Sequence, residues 1–381
     1  IDTSSALRDF CDQLRGAPYI AVDTEFLRER TYYPQLCLIQ VAYGEHAACI
    51  DSLVDGMDLS PLRELLCDES TTKVLHAATQ DLEIFLNKLG QVPAPVFDTQ
   101  IAASVCGLGE QPGYAKLVSE IVKIQIDKAS QVTDWSLRPL SKRQLDYALS
   151  DVTHLCVVYE RLVEKLQATG RESWVAEDMA ALLNPSRYQT VPTEAWRRLK
   201  IRRPKRLTLA VLREVAAWRE EQAMSRDLPR KWIVPDEALV EIAQSQPKNG
   251  AELARVRLLK PHVAKGKDGS ALLDAVKRAK ALPEDAWPPL QERRSPQSGD
   301  ESLIVLLQAL LQLRCAAHGV ATSVVAKRSE LDRIATEKAP DIPALSGWRR
   351  DVFGADALEL CAGRLALTGR GGKVVDVSLS E

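Results

Sequence analysis

The chain has 381 residues, 45% of them hydrophobic, which is enough for two or three domains with their own cores. Lys and Arg number 50 against 52 Asp and Glu, and the net charge of −2 hides a division: residues 1–185 carry 16 basic and 27 acidic side chains, 186–287 carry 22 and 13, and 288–381 carry 12 and 12. No apolar run approaches the ~18 residues of a membrane span, no leader-like segment precedes the first domain, and eight cysteines without a CxxC pair or a Cys/His cluster exclude a zinc site. A soluble cytoplasmic protein with reduced cysteines is therefore expected, and because position 1 is Ile the chain is expected to lack its natural start.

In chain order, a short amphipathic helix over Leu7–Leu14 leads into Tyr19-Ile-Ala-Val-Asp-Thr-Glu-Phe26, an apolar, β-branched run that ends in two acids. Side chains alternate along a strand, so Asp23 and Glu25 leave it on the same face. Gln35–Tyr43 and Ala47–Ile50 predict two more strands joined by a tight turn at Gly44, giving an antiparallel meander. A helix from Ser60 to about Cys67 is expected, with Ser60 as N-cap and Pro61 at the first helical position. Thr72–Ala78 reads as a fourth strand, followed by a helix over Asp81–Leu89 closed by Gly90. Val96–Asp98 is a fifth strand, with a helix from Thr99 to Cys106 that Asp98 is expected to cap. The Ser141 to Gln144 spacing is a capping box that starts a helix running to about Gln167, with Tyr147 and Asp151 one turn apart on one face. The fold class is α/β, a mixed sheet covered on both faces by helices.

Residues 185–206 read as a linker ending in Arg197–Arg206, seven of whose ten residues are basic. Two helical segments follow, 207–283 and 301–370, separated by a Pro-, Ser- and Gln-rich linker over 284–300. They look like copies of one unit: Leu212–Arg219 aligns with Leu307–Arg314 at an offset of 95, and Glu237–Ala243 with Ser329–Ala335 at 92, which makes the second copy three residues shorter. Residues 371–381, from about Gly369 onward, are expected to fray as a tail. The first domain, 1–184, carries the acidic excess, and the linker with the first helical segment carries the basic one, a division that suits a polyanion-handling protein but by itself is more readily read as two solvated surfaces.

Singly, each acid is as readily a helix cap or a solvated charge as a ligand. Together, Asp23 and Glu25 at a strand end, Asp81 at a helix start and Asp151 on a helix face can converge on one point from three distant segments. Four carboxylates in a small volume repel unless cations hold them, and two Mg²⁺ or Mn²⁺ ions about 4 Å apart suit in-line attack on a phosphodiester. Tyr147, with an ordinary pKa near 10, would orient the attacking water rather than act as a bulk base.

These residues resemble a known family. Asp23-Thr-Glu25-Phe, the segment Leu75–Glu83 around Asp81, and Tyr147-Ala-Leu-Ser-Asp151 are similar to the three motifs of the DEDD superfamily of 3′→5′ exonucleases. The Tyr four residues before the last Asp matches the DEDDy branch; the other branch has a His five residues before it, where this chain has Asp146. Thr31–Gln40, Asp134–Leu140 and the two helical repeats behind are similar to the bacterial ribonuclease D family, over nearly the full length. The resemblance implies a ribonuclease H-like catalytic domain followed by two small all-α HRDC-like domains that assist RNA binding. It further implies Asp23, Glu25, Asp81, Tyr147 and Asp151 as catalytic residues, and trimming of 3′ ends of tRNA precursors and other small structured RNAs to 5′-mononucleotides, with little processivity. Direction of attack and preference for RNA come only from the resemblance.

Other side chains carry two readings each. Phe26 and Leu27 suit a wedge against the terminal base, or core packing. His76 suits a packed core or supporting residue, or a catalytic part. Arg138 suits a phosphate contact, or a helix start before Pro139. Arg197, Arg198, Lys200, Arg202, Arg203, Lys205 and Arg206 suit an RNA-backbone strip, or a solvated linker. No membrane, no obligate protein partner and a monomer are expected. A DNA-directed or mixed-specificity exonuclease would share the metal site. A non-catalytic RNA-binding scaffold would need that site broken, and every ligand position is filled. An oxidoreductase is disfavoured, since no GxGxxG follows the first strand.

Overall fold

The computed structural model describes residues 1–126, 133–290, 298–338 and 340–379. The part of the expected second linker at 291–297 lies outside the described residues, as do the last two residues of the expected tail.

After helix α1 (Ser4–Gln13), a five-stranded sheet forms from β1 (Tyr19–Leu27), β2 (Gln35–Tyr43), β3 (His46–Asp51), β4 (Thr72–Leu75) and β5 (Val96–Asp98), in the order β3-β2-β1-β4-β5. β2 and β3 are antiparallel, whereas β1, β4 and β5 run parallel, so the sheet is mixed. Between the strands lie α2 (Ser60–Leu66), α3 (Thr79–Leu89) and, after β5, α4 (Thr99–Val105) and α5 (Tyr114–Ile121). The long α6 (Lys142–Thr169) and α7 (Glu172–Leu182) complete the domain.

Register explains where a site can form. β1 is central and fully apolar through Val22, but its pairing with β4 covers only Tyr19 to Ala21. The strand therefore overhangs its parallel neighbour, and from Asp23 to Glu25 its side chains alternate between a half-exposed face and a buried one. Beyond the carboxyl ends of parallel strands is where open α/β sheets leave a crevice. β4 stops at Leu75, three residues short of the expectation, because Ala77 adopts a left-handed conformation at φ 56° and turns the chain into α3. Asp98 pins that turn, accepting from the backbone N–H groups of Ala77 and Ala78 (3.1 and 2.9 Å), and caps α4 through Gln100 N (2.8 Å). The Ser141–Gln144 capping box is present, and Gly90 closes α3 in the left-handed region, both as expected. Ser60 does not cap α2: it lies inside the helix, and its N–H is taken by Asp58 two residues earlier (2.9 Å).

The helical part differs from expectation in four respects. First, 185–206 is no plain linker: a 3-10 helix over Pro192–Arg198 buries Ala195 and, just after it, Leu199 in the core of the first helical repeat. That repeat comprises α8 (Arg206–Arg226), α9 (Arg230–Ile233), α10 (Asp236–Ser245), α11 (Gly250–Leu253), α12 (Pro261–Lys265) and α13 (Lys267–Ala281). Second, the repeats align at one offset. The second copy opens with α14 (Ser298–His318), α15 (Thr322–Val325) and α16 (Arg328–Thr336), each starting 92 positions after α8, α9 and α10. The offset of 95 for the first helix was a slip of three residues, which a helix tolerates because i and i+3 share a face. Third, the second repeat shares one apolar core with the α/β domain. Trp174 stacks on Trp348 with centroids 4.5 Å apart, and Arg349 makes a bidentate pair with Asp178 (3.0 and 2.8 Å).

Fourth, the expected tail is a hairpin. β6 (Leu365–Arg370) pairs antiparallel with β7 (Lys373–Ser378) across Gly371-Gly372, both at positive φ, and Asp376 is held by Arg314 (3.1 and 2.7 Å). A two-residue Gly-Gly loop between alternating runs is a sequence signal for such a turn. Among the described residues no helix is long and apolar enough to cross a membrane.

Candidate active site

Three of the predicted acids meet. Ligand oxygens of Asp23, Glu25 and Asp151 all lie within 4.8 Å of one another. They line a cavity of about 380 Å³ together with His76, Tyr114 and Tyr147. β1 delivers the first two from its overhanging end, and α6 delivers Asp151 and Tyr147 one turn apart. Asp81, in the first turn of α3, stands a step back: it is buried, and its Oδ1 accepts from Thr24 Oγ1 at 2.5 Å. Thr24 lies between the two β1 acids on the opposite face of the strand, so one strand both presents two carboxylates and anchors a third.

The electrostatics follow from crowding and burial. Glu25 is pushed up to about 9, first by burial and then by Asp23, Asp151 and Asp81. Asp151 is pushed up to about 6 by burial, tempered by its hydrogen bond from Tyr147. Burial raises Asp23, with Asp151 adding to it, and raises Asp81, with Asp23 adding to it. Burial and the neighbouring Asp151 also raise the Tyr147 hydroxyl, which stays protonated as a donor at neutral pH.

Asp151 Oδ1 is buried with no hydrogen-bond partner. An all-carboxylate donor set with an orphaned buried oxygen fits a hard divalent cation, whose charge would reverse every one of these upward shifts.

Two supporting residues escaped the sequence reading. Thr24 was passed over as the spacer of Asp-x-Glu. Tyr114 was not singled out; its hydroxyl donates to the Asp151 carbonyl, and its ring lies 5.3 Å from His76. The signal for Thr24 was its position on the alternating strand, whereas nothing local marked Tyr114. His76 lies just past β4, its Nδ1 3.0 Å from Thr99 Oγ1, and burial holds it below the usual imidazole range.

Arg138 is a correction. Its five N–H donors are all taken: Nε and Nη2 by Asp51 (2.6 and 2.7 Å), Nη2 again by Cys37 O (2.8 Å), and Nη1 by Trp135 O and Leu137 O (2.7 and 2.9 Å). A saturated guanidinium is a brace for the loop before α6 and has no donor left for a phosphate. Arg138→Ala is expected to destabilise the fold by about 2 kcal/mol in a denaturant titration, because it strands Asp51 and three carbonyls, and to leave RNA affinity unchanged.

The basic strip divides. Arg197 pairs with Glu194 and lies over Trp196, Arg198 reaches the buried Glu220 (3.1 Å), and Arg206 donates to the carbonyls of Glu284 and Trp287 (2.7 and 3.0 Å). Lys200, Arg202, Arg203 and Lys205 are exposed, with no carboxylate partner among the described residues. Phe26 and Leu27 are half-buried at the end of β1.

A 3′-5′ exonuclease family profile matches residues 1–167 and an HRDC domain profile matches 208–276. Ribonuclease D of Acidiphilium cryptum is 46% identical over 381 residues, covering 100% of this chain and 97% of that protein. Ribonuclease D of Jannaschia sp. is 44% identical over 98% of both. Among solved structures, Escherichia coli RNase D, described as an exoribonuclease involved in structured RNA processing, superposes with a TM-score of 0.83 at 35% identity, covering 95% of this chain and 98% of that one. With catalytic and helical parts both matched along the whole length, the chain belongs to the ribonuclease D family of 3′→5′ exoribonucleases.

Proposed function

We propose that Asp23, Glu25, Asp81 and Asp151 hold two divalent ions, Mg²⁺ or Mn²⁺, and that the chain trims 3′ tails of tRNA precursors and other small structured RNAs. The observation that carries this is the convergence of three carboxylates within 4.8 Å beside Tyr147. When bound, the ions supply positive charge that acidifies water and neutralises the phosphate and the leaving oxygen. Asp23 and Glu25 bind from the rigid strand, Asp151 binds from α6, and Thr24 fixes Asp81. The Tyr147 hydroxyl, turned toward Asp151, orients the water. The water oxygen bonds to phosphorus, the P–O3′ bond breaks, and the 3′-oxygen departs as a hydroxyl, giving a 5′-mononucleotide and an RNA one residue shorter.

Phe26 and Leu27 follow directly on Glu25 and are assigned to the terminal base, while Lys200, Arg202, Arg203 and Lys205 are assigned to the RNA backbone. The chain works as a monomer in the cytoplasm.

The test is digestion of a 5′-labelled tRNA transcript with a 3′ tail, beside a single-stranded DNA of matched tail, with and without Mg²⁺ or Mn²⁺. A metal-dependent ladder that shortens the RNA from its 3′ end and stops near the folded stem is the expected result. Equal shortening of the DNA would replace this reading with a mixed-specificity exonuclease.

A further inference from the structure

The two helical repeats, aligned at the common offset of 92, place two grooves at equivalent positions. In the first repeat a groove of about 470 Å³ is lined by Arg230, Lys231, Pro235 and Asp236, and Tyr32 of the 26–36 segment forms part of its wall. The Tyr32 hydroxyl donates to the fully buried Glu220 (2.5 Å), and the Arg230 guanidinium lies over its ring at 4.5 Å. Asp227 accepts from the backbone N–H groups of Tyr32 and Tyr33, both at 3.0 Å. Beside the groove, the first repeat thus holds a flat ring with a polar edge between Glu220 and Arg230, and this chain supplies that ring itself.

In the second repeat the equivalent positions are Thr322, Ser323, Lys327 and Arg328, and they line a cavity of about 300 Å³. The buried Arg219 is replaced there by Leu311, so the floor, made of Leu311, Ala326 and Leu331, is apolar. Glu220 becomes Gln312, an amide that can donate and accept. Arg230, which covers the ring in the first repeat, becomes Thr322, too short to do so. The lining has no carboxylate; Arg328 is held at the rim by Asp332 and Gln308 (both 3.1 Å), and Lys327 is exposed beside it.

We propose that this second groove binds one unpaired nucleotide of the RNA substrate. The base lies on the Leu311–Leu331 floor with its polar edge toward Gln312 and Gln308, and the adjoining phosphate faces Lys327 and Arg328. The Tyr32 ring, held in the first repeat at the positions equivalent to Gln312 and Thr322, gives the occupant's shape, and the exchange of Asp236 for Arg328 gives its charge. The inference deepens the RNA-processing reading and rests on it, so its test uses binding without turnover.

The probe is a tRNA transcript whose single-stranded 3′ tail carries 4-thiouridine, bound to the full chain in EDTA. Photo-crosslinks are mapped by mass spectrometry, and affinity is measured by anisotropy. Crosslinks within 308–331 are expected in the wild type and are expected to be lost in Ser323→Trp, which fills the groove, and in Gln312→Glu, an exposed change that restores the carboxylate of the first repeat. Each variant is expected to weaken RNA binding about tenfold, and Lys327→Glu with Arg328→Glu to lower the salt slope by about 1 to 1.5. All are expected to hydrolyse a short oligonucleotide at the wild-type rate in Mg²⁺. Loss of that hydrolysis in the wild type would strike the catalytic reading alone. Wild-type affinity in both Ser323→Trp and Gln312→Glu, or crosslinks confined to other segments, would overturn the groove. So would weakening by the two charge reversals only, which describes a basic patch with no base site.

Discussion

Asp151→Asn is expected to lower RNA hydrolysis by roughly three orders of magnitude, the scale of removing a group that stabilises developing charge, with RNA affinity within about twofold of wild type. The buried Oδ1 of Asp151 has no protein donor and shares a 4.8 Å cluster with Asp23 and Glu25, so an amide there removes a negative ligand from the centre of the set. Asp23→Asn should behave alike. Tyr147→Phe should cost less, about 10²-fold in kcat, because it removes a donor that orients water and leaves every carboxylate in place. Single-turnover kinetics beside anisotropy with the same RNA separates the effects. Wild-type turnover in Asp151→Asn would dismiss the site, and parallel loss of turnover and affinity would assign these residues to substrate binding.

Glu25→Gln is expected to abolish activity and yet raise the melting temperature of the metal-free protein at pH 8. Glu25 titrates at about 9 and Asp151 at about 6 in the folded chain, whereas unfolded carboxyls titrate near 4. Between those values the folded state binds more protons than the unfolded one, so stability falls as pH rises through that window. The metal-free wild type should melt progressively lower from about pH 5 to pH 9, and Gln, which has no charge to bury, should flatten the curve. Saturating Mn²⁺ should reverse the order: it binds only the folded site, so its stabilisation of the wild type grows with pH while the variant gains less. Scanning calorimetry at several pH values, with EDTA and with Mn²⁺, reads both effects. A wild-type curve flat in EDTA, or equal Mn²⁺ gains in both proteins, would mean that the acids are not a cation site.

Much of this was legible because the informative patterns are local. The β1 run and its two acids, the Asp98 cap and the Ser141 capping box are all set by neighbours within a few residues, and each stands where periodicity puts it. The convergence of Asp23 and Glu25 with Asp151 could be argued only from their chemistry, since the overhang of β1 past β4 is a property of register. What failed was long-range or ambiguous in period. Arg138 reads as a free cation in sequence, because its partner Asp51 is 87 positions away. Three-residue slips in an amphipathic helix leave the apolar stripe intact, so the sequence pattern alone places α14 one turn out of register. The Gly371-Gly372 hairpin has its turn signal in the sequence, but a short polar C-terminus reads equally as a frayed tail until its strands pair. Tyr114 approaches Asp151 only through the packing of α5 on α6, which no spacing encodes.

The most direct test of the cation site is the number of ions it takes up. Mn²⁺ titrated calorimetrically into the full chain, in the presence of a 5′-mononucleotide product, should bind with two equivalents, and with fewer in Asp151→Asn. Stoichiometric uptake unchanged by that substitution, or no uptake by the wild type, would contradict the assignment of these four acids as the centre that cuts RNA.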